Sequence, residues 1–172
     1  WADIDLQPAS LCIRCAAGRF SATGSTECKA CAKGRADLDF DAATDCTNCA
    51  PGRYSLSNST SCIQCMPGFS DDDMDAATTC AQCNQGFYTM LISSTGPCIS
   101  CDAGRSTVSL GAISCEDCPA GKVDGDRSAA TACTNCSVGQ YSPVGVSTCR
   151  DCGGGSLDDD LDPSTPCARC SA

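Results

Sequence analysis

The apolar side chains of this chain are scattered mostly singly, and neither a helical nor a strand period persists along the sequence. An amphipathic helix repeats its apolar positions every three or four residues, and a half-buried strand alternates them over about four to eight residues. Neither pattern continues long enough here to define a regular element of ordinary length. The pattern therefore predicts strands of about two to four residues and no helix longer than a single turn.

The composition explains how such a chain can still fold. Hydrophobic residues make up 42 % of it, but cysteine and alanine supply much of that share, and the aromatic residues are only one Trp, three Tyr and four Phe. Twenty of the 172 residues are cysteine, above the roughly 8–10 % that marks a disulfide scaffold in a secreted chain. We expect disulfides to replace the missing hydrophobic core.

Charge and redox chemistry limit the compartment and the partners. Disulfides on this scale persist in the extracellular space or in another oxidising lumen. The net charge of −10 argues against binding to nucleic acid, which requires a basic face. No apolar run approaches the roughly 20 residues that span a bilayer, so we expect no membrane insertion by this segment. Its expected partners are other protein subunits.

Every cysteine belongs to a Cys-x-x-Cys pair. The ten pairs are Cys12/Cys15, Cys28/Cys31, Cys46/Cys49, Cys62/Cys65, Cys80/Cys83, Cys98/Cys101, Cys115/Cys118, Cys133/Cys136, Cys149/Cys152 and Cys167/Cys170. A glycine follows three residues after each of the first nine pairs. Such regularity predicts a positive φ angle at these glycines, or a close approach to a neighbouring sulfur.

The intervals between pairs are of two kinds, and they alternate. Short intervals carry an aromatic residue and a serine after the glycine, then a turn at Gly24, Asn58 or Gly145, where we expect left-handed backbone. Long intervals carry an acidic stretch followed by a threonine. The super-repeat of about 34 residues slips once, because intervals 84–97 and 102–114 both look short. We predict an elongated tandem array of short β-hairpin modules. The predicted segments are a lead-in (1–11), a first half (12–83), an atypical middle (84–114) and a second half (115–172).

The string C-x-x-C-x-x-G-x-[FY]-S, followed by a glycine turn and another C-x-x-C, resembles the ephrin-receptor-like cysteine-rich repeat. That repeat is a relative of the epidermal-growth-factor and tumour necrosis factor receptor modules. The resemblance is carried by residues 12–31, 46–65 and 133–152. It implies modules found in tandem in surface and secreted proteins, where they act as spacers, adhesion segments or ligand-contact surfaces.

Two questions about the cysteines stay open at this point. Four-thiolate zinc sites also use Cys-x-x-Cys pairs, but the acidic composition favours disulfides. The disulfide bonds could follow either of two pairing schemes. In the first, Cys12 bonds Cys28 and Cys15 bonds Cys31, so that all twenty cysteines close internally. In the second, each interval closes on itself, and Cys12 and Cys170 remain for neighbours. We favour the first, which uses every cysteine and which the resemblance implies.

The acidic stretches are the candidate metal ligands. Alternating aspartates offer hard oxygen ligands that suit Ca²⁺, and no other cofactor is indicated. The alternative is that Asp41, Asp75 and Asp162 cap a turn while the other carboxylates are solvated. The candidate calcium ligands are Asp37, Asp39, Asp41, Asp71, Asp73, Asp75, Asp158, Asp160 and Asp162.

Function is predicted mainly by exclusion. The chain has no histidine and its cysteines belong to the framework, so we expect no enzymatic activity. Asn58 and Asn135 lie in glycosylation sequons. An apolar stretch unusual for such a polar chain predicts a partner contact at Tyr88, Met90, Leu91 and Ile92. We expect a structural or scaffold segment of an extracellular or lumenal assembly. The alternative is a ligand-recognition or adhesion ectodomain of a surface receptor, stiffened by calcium.

Overall fold

The structure is a computed structural model that describes residues 2–4 and 12–170. Within these residues it contains 18 strands of two residues each and no helix. Each odd-numbered strand pairs antiparallel with the strand that follows it, giving nine successive hairpins. The strands are β1 Arg19–Phe20, β2 Lys29–Ala30, β3 Arg35–Ala36, β4 Thr47–Asn48, β5 Arg53–Tyr54, β6 Ile63–Gln64, β7 Phe69–Ser70, β8 Ala81–Gln82, β9 Phe87–Tyr88, β10 Ile99–Ser100, β11 Arg105–Ser106, β12 Glu116–Asp117, β13 Lys122–Val123, β14 Thr134–Asn135, β15 Gln140–Tyr141, β16 Arg150–Asp151, β17 Ser156–Leu157 and β18 Ala168–Arg169.

The predicted disulfide-rich array of short hairpins is confirmed. We call each hairpin with its disulfide a module, and name it short-type or long-type after the interval that forms its loop. The long-type modules are β3–β4, β7–β8, β13–β14 and β17–β18, and the other five are short-type. In every module the even-numbered strand consists of the two residues between the cysteines of a pair, as Lys29 and Ala30 lie between Cys28 and Cys31.

The glycine that opens each module has the predicted positive φ, between 76° at Gly52 and 84° at Gly68 and Gly104. This conformation turns the chain into the hairpin, and at eight of these glycines the carbonyl accepts from the N–H of the cysteine that ends the module. The Cys31 N–H donates to the Gly18 carbonyl at 2.9 Å, and the Cys49 N–H to the Gly34 carbonyl at 2.8 Å. Glycine is needed here because an L side chain at positive φ is strained.

The connectivity that we favoured is wrong, and the second scheme is observed. The second cysteine of each pair bonds the first cysteine of the next pair, at Cα–Cα distances of 5.6–5.8 Å that suit a disulfide. The nine bonds are Cys15–Cys28, Cys31–Cys46, Cys49–Cys62, Cys65–Cys80, Cys83–Cys98, Cys101–Cys115, Cys118–Cys133, Cys136–Cys149 and Cys152–Cys167.

The correction applies along the whole chain. Continued beyond its first module, the favoured scheme would join Cys83 to Cys101 and Cys118 to Cys136, and neither bond is present. Instead Cys83 bonds Cys98 and Cys101 bonds Cys115. Likewise Cys118 bonds Cys133 and Cys136 bonds Cys149. These four cysteines are disulfide-bonded as predicted, but each has a different partner from the one that we favoured.

Strand geometry gives the reason for this pairing. Side chains alternate between the two faces of a strand, so residues three apart point in opposite directions. Cys28 and Cys31 flank the two-residue strand β2, and one therefore points to its own hairpin while the other points to the next. First-to-third pairing would need both to face the same module. Cys12 and Cys170, which we predicted as disulfide-bonded, are accordingly unbonded and exposed.

Successive modules are joined through their backbones. The Ser21 N–H of the first module donates to the Ala42 carbonyl of the second at 2.9 Å, and the Asp37 N–H of the second donates to the Ser59 carbonyl of the third at 3.0 Å. The buried positions between modules are small residues, such as Cys31, Ala36 and Ser55, each fully buried. Disulfides that close loops of this length each contribute about 3 kcal/mol by restricting the unfolded chain, and here they replace a core of large apolar side chains.

The chain divides into two compact units, Trp1–Ala81 with Leu91–Pro97, and Gln82–Met90 with Cys98–Ala172. Two of the boundaries between the units, after Met90 and after Pro97, fall in the segment 84–114 that the sequence marks as atypical. Within the described residues no helix is long and apolar enough to cross a bilayer. The boundaries that we predicted for the repeat halves, and the elongated shape, stay predictions.

Candidate functional site: the loops of the repeat

The first aspartate of the acidic loops joins modules together. In the long-type modules β3–β4 and β7–β8, Asp37 and Asp71 are almost fully buried. The Gly18 N–H donates to Asp37 Oδ2 at 3.0 Å, and the Gly52 N–H donates to Asp71 Oδ2 at 2.9 Å. Each donor belongs to the module before. These two carboxylates are therefore structural, and a hydrogen bond to a charged acceptor of this kind is worth about 1.5–3 kcal/mol.

The second aspartate forms the turn of the loop itself. Asp39 Oδ1 accepts from the Asp41 N–H at 3.0 Å. The Thr44 hydroxyl lies 2.9 Å from Asp39 Oδ2 and 2.8 Å from the Asp41 carbonyl, so its single proton is shared between two acceptors. This arrangement explains why a threonine precedes the closing cysteine of each long loop by two residues. The same bonds recur in three further loops, around Asp73 with Thr78, Asp126 with Thr131 and Asp160 with Thr165.

The hydrogen bonds of this turn shift the ionisation of the second aspartate. The backbone N–H of Asp41 and then the Thr44 hydroxyl hold the pKa of the Asp39 carboxyl below its ordinary range, although the side chain is exposed. The pKa values of the equivalent carboxyls are lowered for the same reasons, namely Asp73, Asp126 and Asp160. The carboxylate form is the one that these donors recognise.

The predicted capping role of the third aspartate is confirmed. Asp41 Oδ1 accepts from the Ala43 N–H at 3.0 Å, Asp75 Oδ1 from the Ala77 N–H at 2.9 Å, and Asp162 Oδ1 from the Ser164 N–H at 2.9 Å. Each of these side chains accepts a hydrogen bond from the backbone N–H two residues later, as in an Asx turn.

These bonds bear on the calcium hypothesis. Among residues 2–4 and 12–170, no three acidic or cysteine side chains are grouped so that they could hold a metal ion. The first aspartate faces the neighbouring module in three of the loops, at Asp37, Asp71 and Asp158, while the second and third face their own backbone. Calcium binding stays a prediction, and the turn explains the acidic pattern without it.

The residue that follows the second aspartate of each loop has left-handed backbone. Phe40, Met74, Arg127 and Leu161 have φ angles of 54–57°, a conformation that costs a residue other than glycine about 1–2 kcal/mol. The sequence did not indicate this, because Phe, Met and Leu do not favour it. The three apolar side chains, Phe40, Met74 and Leu161, are all exposed.

The loops of the short-type modules have the predicted left-handed turn residues, and the loop of the β9–β10 module contains the apolar stretch. Gly24, Asn58 and Gly145 have positive φ angles of 62–76°. In the β9–β10 module the corresponding turn is at Ser93, with φ 56°. Met90, Leu91 and Ile92 are exposed, and Tyr88 is half-buried in strand β9.

The two predicted glycosylation sites, Asn58 and Asn135, are both exposed. Their modification stays a prediction.

A shallow groove lies beside two equivalent hairpins, one in each unit. In the first unit it has a volume of about 350 Å³ and is lined by Tyr54, Ile63, Met66 and Phe69 among others. In the second unit the corresponding groove of about 260 Å³ has a more polar lining. Its lining includes Ser106, Glu116, Pro119 and Lys122. The same position of the repeat therefore presents two different chemistries.

The nine disulfides in successive hairpins show a cysteine-rich repeat, and their number points to an oxidising compartment. No family model and no curated protein matches this chain. The resemblance to ephrin-receptor-like, epidermal-growth-factor and tumour necrosis factor receptor modules therefore stays a prediction.

Proposed function

We propose that this chain is a non-catalytic structural segment of a larger extracellular or lumenal assembly, which contacts another protein subunit through the apolar tip formed by Leu91 and Ile92. The observation that carries the proposal is the exposure of these two neighbouring residues, 58 % and 63 %. Contiguous exposed apolar side chains on a polar protein are typical of an interaction site.

The backbone beneath the apolar tip is held in place. The Ser93 N–H donates to the Cys65 carbonyl at 2.8 Å, and the Gly52 backbone lies directly against the Ser93 carbonyl. A loop that is already ordered loses little conformational entropy when a partner covers it. A preorganised backbone that carries exposed apolar side chains supports a contact surface rather than a passive spacer.

The test replaces both residues of the apolar tip by serine. In the cell that makes the protein, a tagged Leu91→Ser/Ile92→Ser chain should fold and be secreted, but its incorporation into the high-molecular-weight fraction should fall at least about tenfold, because burying two such side chains contributes several kcal/mol. Size exclusion of the extracellular material measures incorporation.

The matched control is Leu110→Ser/Ile113→Ser. These are the same residue types at similar exposure, 57 % and 56 %, in the β11–β12 module. This control should assemble like the unmodified chain. Equal incorporation of all three chains would remove the proposed contact.

The alternative, a recognition or adhesion segment of a surface receptor, stays a prediction. The apolar groove beside Tyr54 is the feature that fits it, since a groove lined by Ile63, Met66 and Phe69 suits an apolar side chain of a ligand protein.

A further inference from the structure

The apolar groove beside Tyr54 belongs to interior modules of the array. Its lining comes from the modules β5–β6 and β7–β8, and described modules precede and follow both along the chain. Two of its lining residues, Ile63 and Met66, are nevertheless 45 % and 66 % exposed. Stacking of modules on both sides therefore leaves an apolar surface uncovered at this place.

The apolar tip is held at the edge of the groove. Leu91–Pro97 belongs to the same compact unit as the groove. The Ser93 N–H, directly after the tip, donates to the carbonyl of Cys65 at 2.8 Å, and Cys65 lines the groove. The Gly96 N–H donates to the Asp71 carbonyl at 3.0 Å, next to strand β7. Tip and groove thus keep a fixed separation, and among the described residues the tip does not line the groove of its own chain.

Both surfaces are free of charge in a strongly acidic chain. The net charge of −10 makes two copies repel each other at long range. The runs 54–70 and 76–101 contain no charged residue, and together they contain the apolar tip and all the residues that line the groove. Contact between these two surfaces therefore buries no unpaired charge, which is the main cost of joining charged proteins.

The equivalent groove of the second unit has a different lining. It includes the charged residues Glu116, Asp117 and Lys122, and Asp117 Oδ1 lies 2.7 Å from Arg105 Nε. An apolar side chain placed there would desolvate these charges. Of the two grooves, the one beside Tyr54 suits an uncharged apolar loop, and this chain itself carries such a loop in the apolar tip.

We propose that two copies of this chain associate, each placing its apolar tip in the apolar groove of the other. The inference rests on the proposed function, because it names the subunit that the tip contacts. A two-fold axis between the copies, the commonest symmetry of soluble oligomers, forms both contacts at once. Neither surface has to rearrange, since both are ordered within one unit. Two small contacts predict a reversible dimer rather than a permanent one.

Three forms of the 172-residue chain test the proposal. All carry Cys12→Ser and Cys170→Ser, so that the two exposed, unbonded cysteines cannot link copies covalently. The first form is otherwise unmodified, the tip variant has serine at both residues of the apolar tip, and the groove variant has Ile63→Ser/Met66→Ser. Non-reducing peptide mapping verifies that the nine disulfides are in place in each form.

Sedimentation velocity over a concentration series gives the dissociation constant of each dimer. Both variants should raise this constant at least about tenfold, because every contact in their own dimers has lost its apolar side chains on one side.

An equal mixture of the two variants tests the pairing of tip with groove directly. In a mixed dimer the intact tip of the groove variant meets the intact groove of the tip variant, so one of the two contacts is restored. With a fluorophore on one of the two variants, the mixture should associate several-fold more tightly than either variant does alone.

Two controls separate this contact from general stickiness and from charge. Leu110→Ser/Ile113→Ser, at exposed apolar residues of the second unit, should leave the dissociation constant unchanged. Added sodium chloride should tighten the dimer, because it screens the repulsion between two acidic copies. A dimer that salt weakens would be held by charged groups, which would contradict the proposal.

Three further outcomes would overturn the proposal. They are a chain that stays monomeric up to about 1 mM, a groove variant that dimerises as tightly as the first form, and a mixture that associates no better than its separate components.

The incorporation experiment described for the proposed function distinguishes the two failures. If the tip variant is not incorporated while the groove variant is incorporated normally, the tip contacts a different protein, and only the pairing of two copies fails. If the tip variant is incorporated like the unmodified chain, the proposed function of the tip fails, whatever the purified chains do.

Discussion

Gly52 and Gly155 have nearly the same backbone conformation, with φ angles of 76° and 79°, but very different surroundings. Gly52 is buried, and the Ser93 carbonyl lies where its Cβ would be. Gly155 is exposed, and none of the residues that the structure describes has an atom within 4 Å of that position. The repeated glycine thus meets two separate requirements. It forms a local turn at both positions, and at Gly52 it also allows close contact with the backbone of a later module.

The comparison shows how modules without a core hold to one another. Their contacts run from backbone to backbone, through glycines, small buried residues and a few carboxylates. Such contacts depend on the absence of side chains more than on their presence. Adding one methyl group should therefore disturb the array more than removing most of its exposed apolar side chains.

The largest difference is expected between Gly52→Ala and Gly155→Ala, in the free energy of local opening around each glycine. Both variants carry the cost of a left-handed alanine, about 1–2 kcal/mol, and only Gly52→Ala also pushes a Cβ into the Ser93 carbonyl. We expect Gly52→Ala to lower the free energy of local opening by more than about 3 kcal/mol.

Hydrogen exchange can measure this difference at two amides. The Cys65 N–H donates to the Gly52 carbonyl at 3.0 Å, and the Cys170 N–H donates to the Gly155 carbonyl at 2.9 Å. The Cys65 amide should lose far more protection in its variant than the Cys170 amide loses in the other. Equal losses would mean that the turn alone, and not the contact, requires glycine.

A smaller difference is expected between Asp71→Ala and Asp158→Ala. Asp71 is buried and accepts from the N–H of the buried Gly52 at 2.9 Å, whereas Asp158 is partly exposed and accepts from the N–H of the partly exposed Gly139 at 3.0 Å. Removing Asp71 leaves a donor that water does not reach, at a cost of about 1–3 kcal/mol.

Water can replace Asp158, so its removal should cost less than about 1 kcal/mol. Thermal unfolding with intact disulfides measures both variants. Asp71→Asn keeps an acceptor oxygen and should recover part of the loss. If Asp158→Ala were as damaging as Asp71→Ala, burial would not be what distinguishes the two sites.

The features that the sequence predicted correctly are those that local chemistry determines. Short hairpins follow from the Cys-x-x-Cys spacing, and positive φ angles follow from the recurring glycines and from Asn58 in a glycine position. The disulfide pairing could also have been predicted from the sequence, because side-chain alternation along β2 places Cys28 and Cys31 on opposite faces of the strand. The same alternation along β10 sends Cys98 and Cys101 to opposite faces, so the two bonds Cys80–Cys98 and Cys83–Cys101 cannot both form within one module. We favoured the other scheme because it uses every cysteine and because the resemblance implies it, and neither reason takes that geometry into account.

What the sequence did not distinguish are the roles that neighbouring modules assign. Asp37 and Asp39 look alike in a run of aspartates, yet one bonds the module before and the other bonds its own loop. Phe40 takes a left-handed conformation that its residue type does not favour. The open face at Gly155 also has the same sequence signature as the covered face at Gly52. Each of these depends on which backbone lies beside the residue.

The smallest difference is expected for the turn aspartates, since their hydrogen bonds lie within one loop. Asp39 in an earlier module and Asp160 in the last one have the same donors and the same direction of pKa shift, so both should titrate alike, below the ordinary aspartate range. Because a carboxyl with a lowered folded-state pKa stabilises the fold above the unfolded-state pKa, this contribution is lost as the pH falls through the folded-state pKa.

Thr44→Val removes one hydrogen-bond donor and should raise the pKa of Asp39, while the pKa of Asp160 stays unchanged. The carboxyl ¹³C chemical shifts of both residues, followed against pH, measure the two pKa values. If the pKa values of Asp39 and Asp160 differed clearly in the unmodified chain, a neighbouring module would have to affect one of these carboxyls. The pKa of the turn aspartate would then not be determined by its own loop alone.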